Sequence, residues 1–169
     1  IRDSGNVDTT AMVLQALAPY YKSEAKFNAL GAKTTYAELQ KMVDDALAGL
    51  KAKADGNGDY GSSEAADQIA VALCALGKDP QANGWKVIDT ILGYRDAATG
   101  GFKHTLNGEV NQMATEQAAY TLVAYDRFVK KTNSLYDMTD VFTYKSAVSD
   151  AILAIDALPA ADKAVSYTH

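Results

Sequence analysis

A single cysteine, Cys74, leaves no disulfide possible within the chain and too few thiolates for a cysteine-rich metal site. Such usage fits a cytosolic protein, and equally a secreted protein of a cell that does not rely on disulfides. Histidine is almost as scarce, with His104 and His169 the two present, so an imidazole-based zinc site is short of ligands as well. Basic residues are the minority, 16 against 21 acids for a net charge of -5, and no basic stripe exists to neutralise phosphates. Nucleic acid and anionic membrane are therefore poor partners. The longest apolar run, Ile69 to Leu76, is far below the roughly 18 residues that a membrane span requires, so no membrane insertion is expected. No initiator Met, charged leader segment or apolar signal core precedes Ile1, and the chain is expected to start inside a longer one.

What remains is a chain of 169 residues, 48% apolar, enough to bury one sizeable core. Its apolar residues recur with helical period in six places. In the second, Tyr36, Leu39, Val43, Ala46 and Leu50 share one stripe, while Glu38, Lys41, Asp45 and Lys51 lie off it. Thr35 and Glu38 fit a capping box at its start, with the Thr cap worth about 1 kcal/mol. The last helix shows the same pattern through Val141, Tyr144, Val148, Ile152 and Ile155, and stops before Pro159. The fourth is read from Trp85 to about Ala97.

The first, third and fifth helices, Asp8 to Ala18, Ala66 to Leu76 and Thr115 to Tyr125, are apolar or small nearly all round. A helix of that kind is stable only when covered on most sides, so these are expected to form a shielded inner layer. Leu76, Gly77 and Pro80 read as a helix stop, the glycine taking the left-handed cap. Thr10 to Leu17, Ile69 to Leu76 and Thr115 to Leu122 share a small-and-Leu pattern. Two of them follow an amphipathic helix and a glycine-aromatic turn, Gly58-Asp59-Tyr60-Gly61-Ser62 and Gly100-Gly101-Phe102. The unevenly spaced units indicate divergent repetition with an insertion near Lys22 to Lys33. A unit that cannot cover its own apolar face must stack on its neighbours.

Turn followed by inner helix resembles the prenyltransferase and squalene-cyclase-type repeat, whose members form α/α toroids. The stretch from Asn111 through Glu116, Gln117 and Tyr120 to Tyr125-Asp126-Arg127-Phe128, then Asn133 to Asp140, resembles repeat domains in large surface proteins of Gram-positive anaerobes. So do Asp8 to Met12 and Leu14 to Tyr21, and the resemblance runs from Gly5 to Pro159. It implies an all-α fold in which three helical hairpins form part of an α/α toroid over residues 1–158. Residues 159–169 would then be a linker or the start of a following module. A closed toroid needs about six hairpins, so further ones, including the outer partner of the first helix, are expected upstream.

The resemblance also implies a non-catalytic domain of an extracellular, cell-wall or surface-attached protein, serving display, adhesion or ligand capture beside neighbouring modules of the same polypeptide. Its partner would be a small molecule, a glycan or a protein. Relatives of this kind sit beside modules similar to part of the vertebrate cobalamin carriers, which suggests a corrinoid-like carrier as an alternative once the full ring is present. A polysaccharide lyase is a third reading, for which His104, Asn107, Asn111, Tyr94 and Arg95 lie loosely around the fourth turn. The motifs of the toroid enzymes are missing. Met42-Val43-Asp44-Asp45 lacks the first acid of the cyclase Asp-x-Asp-Asp, Cys74 has no motif-matched zinc partner, and no thioester motif occurs. No cofactor is expected.

Two groups of polar residues stand out. Gln15, Asp67, Gln68, Glu116, Gln117 and Tyr120 interrupt the inner helices; they either line a concave ligand site or bond neighbouring helices. Asp55, Asn57 and Asp59 alternate oxygens as a calcium loop does, but Tyr60 and Ala66 occupy the positions where such a loop needs a glycine and a bidentate acid. A polar Asn-Gly turn between helices is the alternative. Most of the ten tyrosines fit helix stripes and are expected in the core.

Overall fold

Asparagine, serine and threonine side chains start all but one of the described α-helices, Val87–Gly93 being the exception. In a computed structural model that describes residues 6–141 and Leu153, α1 (Val7–Tyr21) begins where Asn6 accepts the Thr9 amide at 2.9 Å. The last long helix, α6 (Gln112–Val129), repeats that start, with Asn111 accepting the Ala114 amide at 3.0 Å. Thr10 and Thr115 then return their hydroxyls to the Asn6 and Asn111 carbonyls, at 2.9 and 2.8 Å. Ser23 caps α2 (Glu24–Asn28), Ser62 caps α4 (Ser63–Ala75), and Thr35 and Glu38 close the anticipated capping box on α3 (Tyr36–Lys51). Each cap satisfies amides that the first helical turn leaves without a partner.

Among the described residues helix accounts for 57% and no strand occurs; the fold is all-α. Two compact units can be distinguished, Ile1–Leu135 and Tyr136–His169. In the second, a short 3-10 helix (Met138–Val141) is preceded by Asp137, whose carboxylate accepts the Thr139 amide and hydroxyl. Most of the anticipated sixth helix, and the segment 159–169, lie outside the described residues.

At the centre of the first unit lies α4, buried along its whole length from Ser63 to Ala75. Both α1 and α6 pack against it, and so does α5 (Val87–Gly93). The contact faces are built from small residues, Ala11, Leu14 and Ala18 on α1 and Ala114, Ala118 and Thr121 on α6. Small side chains let backbones approach closely, and the common core adds Ile69, Leu73, Val43, Ile91 and Tyr94. On α3, Leu39, Val43, Leu47 and Leu50 form the buried stripe, with Tyr36 and Ala46 half-buried beside it.

Three expectations change. First, only α4 is shielded all round. Met12 on α1 is 55% exposed, and Met113 and Val123 on α6 are 56% and 50% exposed, because each of these helices turns only one stripe toward α4. Second, α3 packs mainly on α1 and α5 on α4, so each outer helix covers the inner helix that precedes it; α1 has its outer partner downstream. Third, the boundaries move. Pro19 sits inside α1, which runs on to Tyr21, since Pro costs one donor but Lys22 still bonds the Ala18 carbonyl at 3.1 Å. The insertion near Lys22 to Lys33 holds α2, whose Phe27 is buried against Tyr36. The fourth helix is shorter than its pattern, because Tyr94 caps it after Gly93 and the chain turns to bridge Arg95 with Phe102.

At the predicted stop after α4, Gly77 adopts φ +75°, the Gly77 amide bonds the Cys74 carbonyl and the Lys78 amide bonds the Leu73 carbonyl. This is a Schellman cap. The two glycine-aromatic turns share an anchor that spacing did not reveal. Each starts at an aspartate, Asp55 or Asp96, whose amide closes the turn onto the Asp59 or Gly101 carbonyl at 2.8 Å.

Candidate functional site

Four of the six inner-helix polar residues form one row across α1, α4 and α6. Gln15 donates to the side-chain and backbone oxygens of Gln68, at 2.8 and 3.0 Å. Gln68 in turn donates to Gln117 at 2.9 Å and to the Tyr120 hydroxyl, which also reaches Gln117. An amide has two donors and an acceptor, so a glutamine buried between two helices can bond both, and Gln68 does. The row ties three helices in register, which was the less specific of the two readings of these residues. Glu116 stands apart from it, exposed on α6.

Asp67 lies elsewhere, in the first turns of α4, where it shares a face with Glu64 one helical turn before it. Ser63 donates its hydroxyl to Asp67 Oδ2 at 3.1 Å, and Thr121 reaches the Asp67 carbonyl. Glu64 Oε2 meets His104 Nδ1 at 2.8 Å, and the Ser63 amide bonds the His104 carbonyl at 3.1 Å. Both acids are almost fully withdrawn from water, Glu64 at 6% and Asp67 at 0% exposure. Glu64 Oε1 and Asp67 Oδ1 are buried and accept no hydrogen bond. Burial, reinforced by the Glu64 charge, pushes the Asp67 carboxyl up to about 7. Asp8, at the start of α1, is also raised, by partial burial and by Glu64. Sequence reasoning marked Asp67 but missed Glu64 and Asp8, because acids in a first helical turn read simply as partners of the helix dipole.

The other candidates are occupied structurally. Asp55 Oδ1 accepts the Asn57 and Asp59 amides at 2.8 and 2.9 Å, and Asp59 Oδ1 accepts the Tyr60 and Gly61 amides and the Tyr94 hydroxyl. These carboxylate oxygens stabilise a turn whose Gly58 carbonyl is held by Thr90, instead of converging on a cation. Among the described residues, no group of three His, Cys, Asp or Glu side chains has the arrangement of a metal site. Of the residues considered for lyase chemistry, Tyr94 is buried on Asp59, Asn111 caps α6 and His104 pairs with Glu64, while Arg95 and Asn107 are exposed. Burial pushes the Cys74 thiol up to about 12, so the thiolate is withheld.

Where α3 and the chain after α4 meet, a groove of about 430 Å³ is lined by Asp44, Lys51, Lys78, Asp79 and Trp85, among others. Its cations already have partners. Lys51 sits 5.6 Å above the Trp85 ring, and Lys78 lies 5.4 Å from the Tyr21 ring and 3.5 Å from Asp44. Among the described residues, no helix is long and apolar enough to cross a membrane. No family model matches the chain, and it matches no curated protein and no solved structure.

Proposed function

We propose that this chain is a non-catalytic helical-repeat domain of an extracellular surface protein, an arc of an α/α toroid that serves display, adhesion or ligand capture. The observation that carries this reading is the glutamine row. A wall that performs chemistry presents donors and acceptors to a substrate, whereas Gln15, Gln68, Gln117 and Tyr120 direct theirs at one another. The packing of α3 on α1 and of α5 on α4 supports the toroid, since it is the order of inner helix and covering helix repeated twice. The surface setting rests on the resemblance of Asn111 to Asp140 to repeat domains of Gram-positive surface proteins.

The test pairs an activity assay with a location assay. The purified chain, incubated with an allylic prenyl diphosphate or a uronate-containing polysaccharide, is expected to leave both unchanged, and an antibody against it is expected to label intact cells. Turnover of either substrate, or labelling only after lysis, overturns the reading.

A further inference from the structure

We propose that Asn83 is a site of spontaneous covalent modification, at which the Gly84 nitrogen displaces the side-chain amide of Asn83 under the promotion of the Lys51 ammonium. The chain holds three Asn-Gly pairs, Asn57-Gly58, Asn83-Gly84 and Asn107-Gly108. In each, the glycine nitrogen and the asparagine Cγ belong to one dipeptide, and no side chain on the glycine shields the nitrogen. Attack closes a succinimide ring and needs only rotation about the bonds between the two atoms. Two of the pairs are held back. The Gly58 amide donates to the Asp55 carbonyl at 3.0 Å and the Gly108 amide to the Thr105 carbonyl at 2.9 Å, and both glycines are half-buried. A nitrogen in such a bond attacks only after its turn has opened.

The remaining pair is bonded differently. Ala82 to Trp85 form a tight turn, closed by the Trp85 amide on the Ala82 carbonyl at 3.0 Å, with Asn83 at φ +54° and Gly84 at φ +81°. Positive φ at both central positions selects Asn and Gly, and a Cβ on Gly84 would meet Lys51 Nζ at 2.8 Å. The central peptide of the turn, Asn83 to Gly84, lies outside the closing bond. Lys51 Nζ donates to its carbonyl, while its N–H has no acceptor among the described residues. Both residues are exposed, and the Asn83 carboxamide has no partner among the described residues.

The reaction follows from these bonds. Hydroxide takes the Gly84 amide proton, and the negative charge spreads onto the Asn83 carbonyl oxygen, where Lys51 already donates. A cation at that oxygen stabilises the ionised peptide more than the neutral one. The Gly84 nitrogen bonds to Asn83 Cγ, the Cγ–Nδ2 bond breaks, and ammonia leaves with a proton from water, which restores the hydroxide. Water then opens the succinimide at either carbonyl and leaves aspartate or isoaspartate at position 83. Either product adds a negative charge at the groove lined by Lys51 and Lys78, and isoaspartate also lengthens the main chain between α4 and α5.

Peptide mapping by mass spectrometry of the chain, kept folded in mildly alkaline buffer, tests this. The mass gain of an amide-to-acid change should accumulate at Asn83 about tenfold faster than at Asn57 or Asn107. In urea, where the turns are lost, that difference should largely vanish. Lys51→Met should slow the reaction at Asn83 about three- to tenfold, the worth of one hydrogen bond to a developing charge. Asn107 should keep its rate in that variant, and Lys51→Arg should retain most of the rate at Asn83. A lysine that merely stiffened the turn would act with the opposite sign, since a loosened turn closes the ring faster. Modification at Asn57 or Asn107 that keeps pace with Asn83 in the folded chain overturns the assignment, as does an unchanged or faster rate in Lys51→Met. Should that variant fail to fold, the comparison of the three pairs in the unaltered chain still decides.

Discussion

Tyr94, the buried residue that ends α5, donates its hydroxyl to Asp59 in the turn that leads into α4. The same carboxylate oxygen takes the Tyr60 and Gly61 amides, so one aspartate joins a turn to a helix distant in sequence. Burial, together with the Asp59 charge, raises the Tyr94 hydroxyl well above the ordinary phenol value, which keeps it a donor. Tyr94→Phe removes a hydrogen bond to a charged group and leaves the ring in place. Urea unfolding should show a loss of about 1.5–3 kcal/mol. Unchanged stability would mean that this bond contributes nothing to holding the turn on α5.

The glutamine row predicts a different signature. Gln68→Leu deprives the Gln15 amide, the Gln117 carbonyl and the Tyr120 hydroxyl of their common partner. About 1 kcal/mol should be lost, the ordinary net worth of a hydrogen bond, since the row is only part-buried and Tyr120 still reaches Gln117. Because the members act as one network, Gln68→Leu and Gln117→Leu together should cost clearly less than the sum of the two single changes. Additive losses would show that the row is a set of separate contacts.

Much of the fold was legible in the chain, and the reasons are local. The Thr35 and Glu38 capping box, the α3 stripe and the Gly77 stop each depend on residues within one or two helical turns of one another. Pattern reasoning covers that range, and all three stand in the structure. What it could not see was direction. Small residues all round made α1 and α6 look as enclosed as α4, yet among the described helices α4 alone is buried along its whole length. The polar row was visible as a set of interruptions, but whether glutamines face each other or a ligand is decided by the register between helices. Glu64 escaped notice because its meaning comes from His104, which the fold brings across from the turn before α6.

Asp67 makes stability depend on pH in an unusual sense. Its carboxyl lies at about 7 in the folded chain, against about 4 for a solvated carboxyl. The folded state therefore holds a proton that the unfolded state has released between these values. The stabilisation is complete below about pH 4 and is lost as pH rises through 7, opposite to an ion-paired acid. Urea midpoints should decline from about pH 5 to 8 in the unaltered chain and decline much less in Asp67→Asn. A midpoint that climbs over this range would show that Asp67 folds as an ordinary carboxylate.

The end of α6 offers a gain instead of a loss. It is a Schellman cap like that of α4, with the Lys131 amide on the Phe128 carbonyl and the Thr132 amide on the Arg127 carbonyl at 3.0 Å. The residue in the left-handed position is Lys131, at φ +56°, where α4 has Gly77. A side chain there crowds the backbone by about 1–2 kcal/mol, an expense that glycine avoids. Part of this is returned by the larger entropy that glycine brings to the unfolded chain. Lys131 is exposed, so little packing is forfeited by removing it. Lys131→Gly should therefore stabilise the chain by roughly 0.5–1 kcal/mol, while Gly77→Lys should destabilise it by at least as much. Thermal unfolding of the two variants checks both directions, and a Lys131→Gly variant that melts earlier than the unaltered chain would show that the lysine side chain itself supports the end of α6.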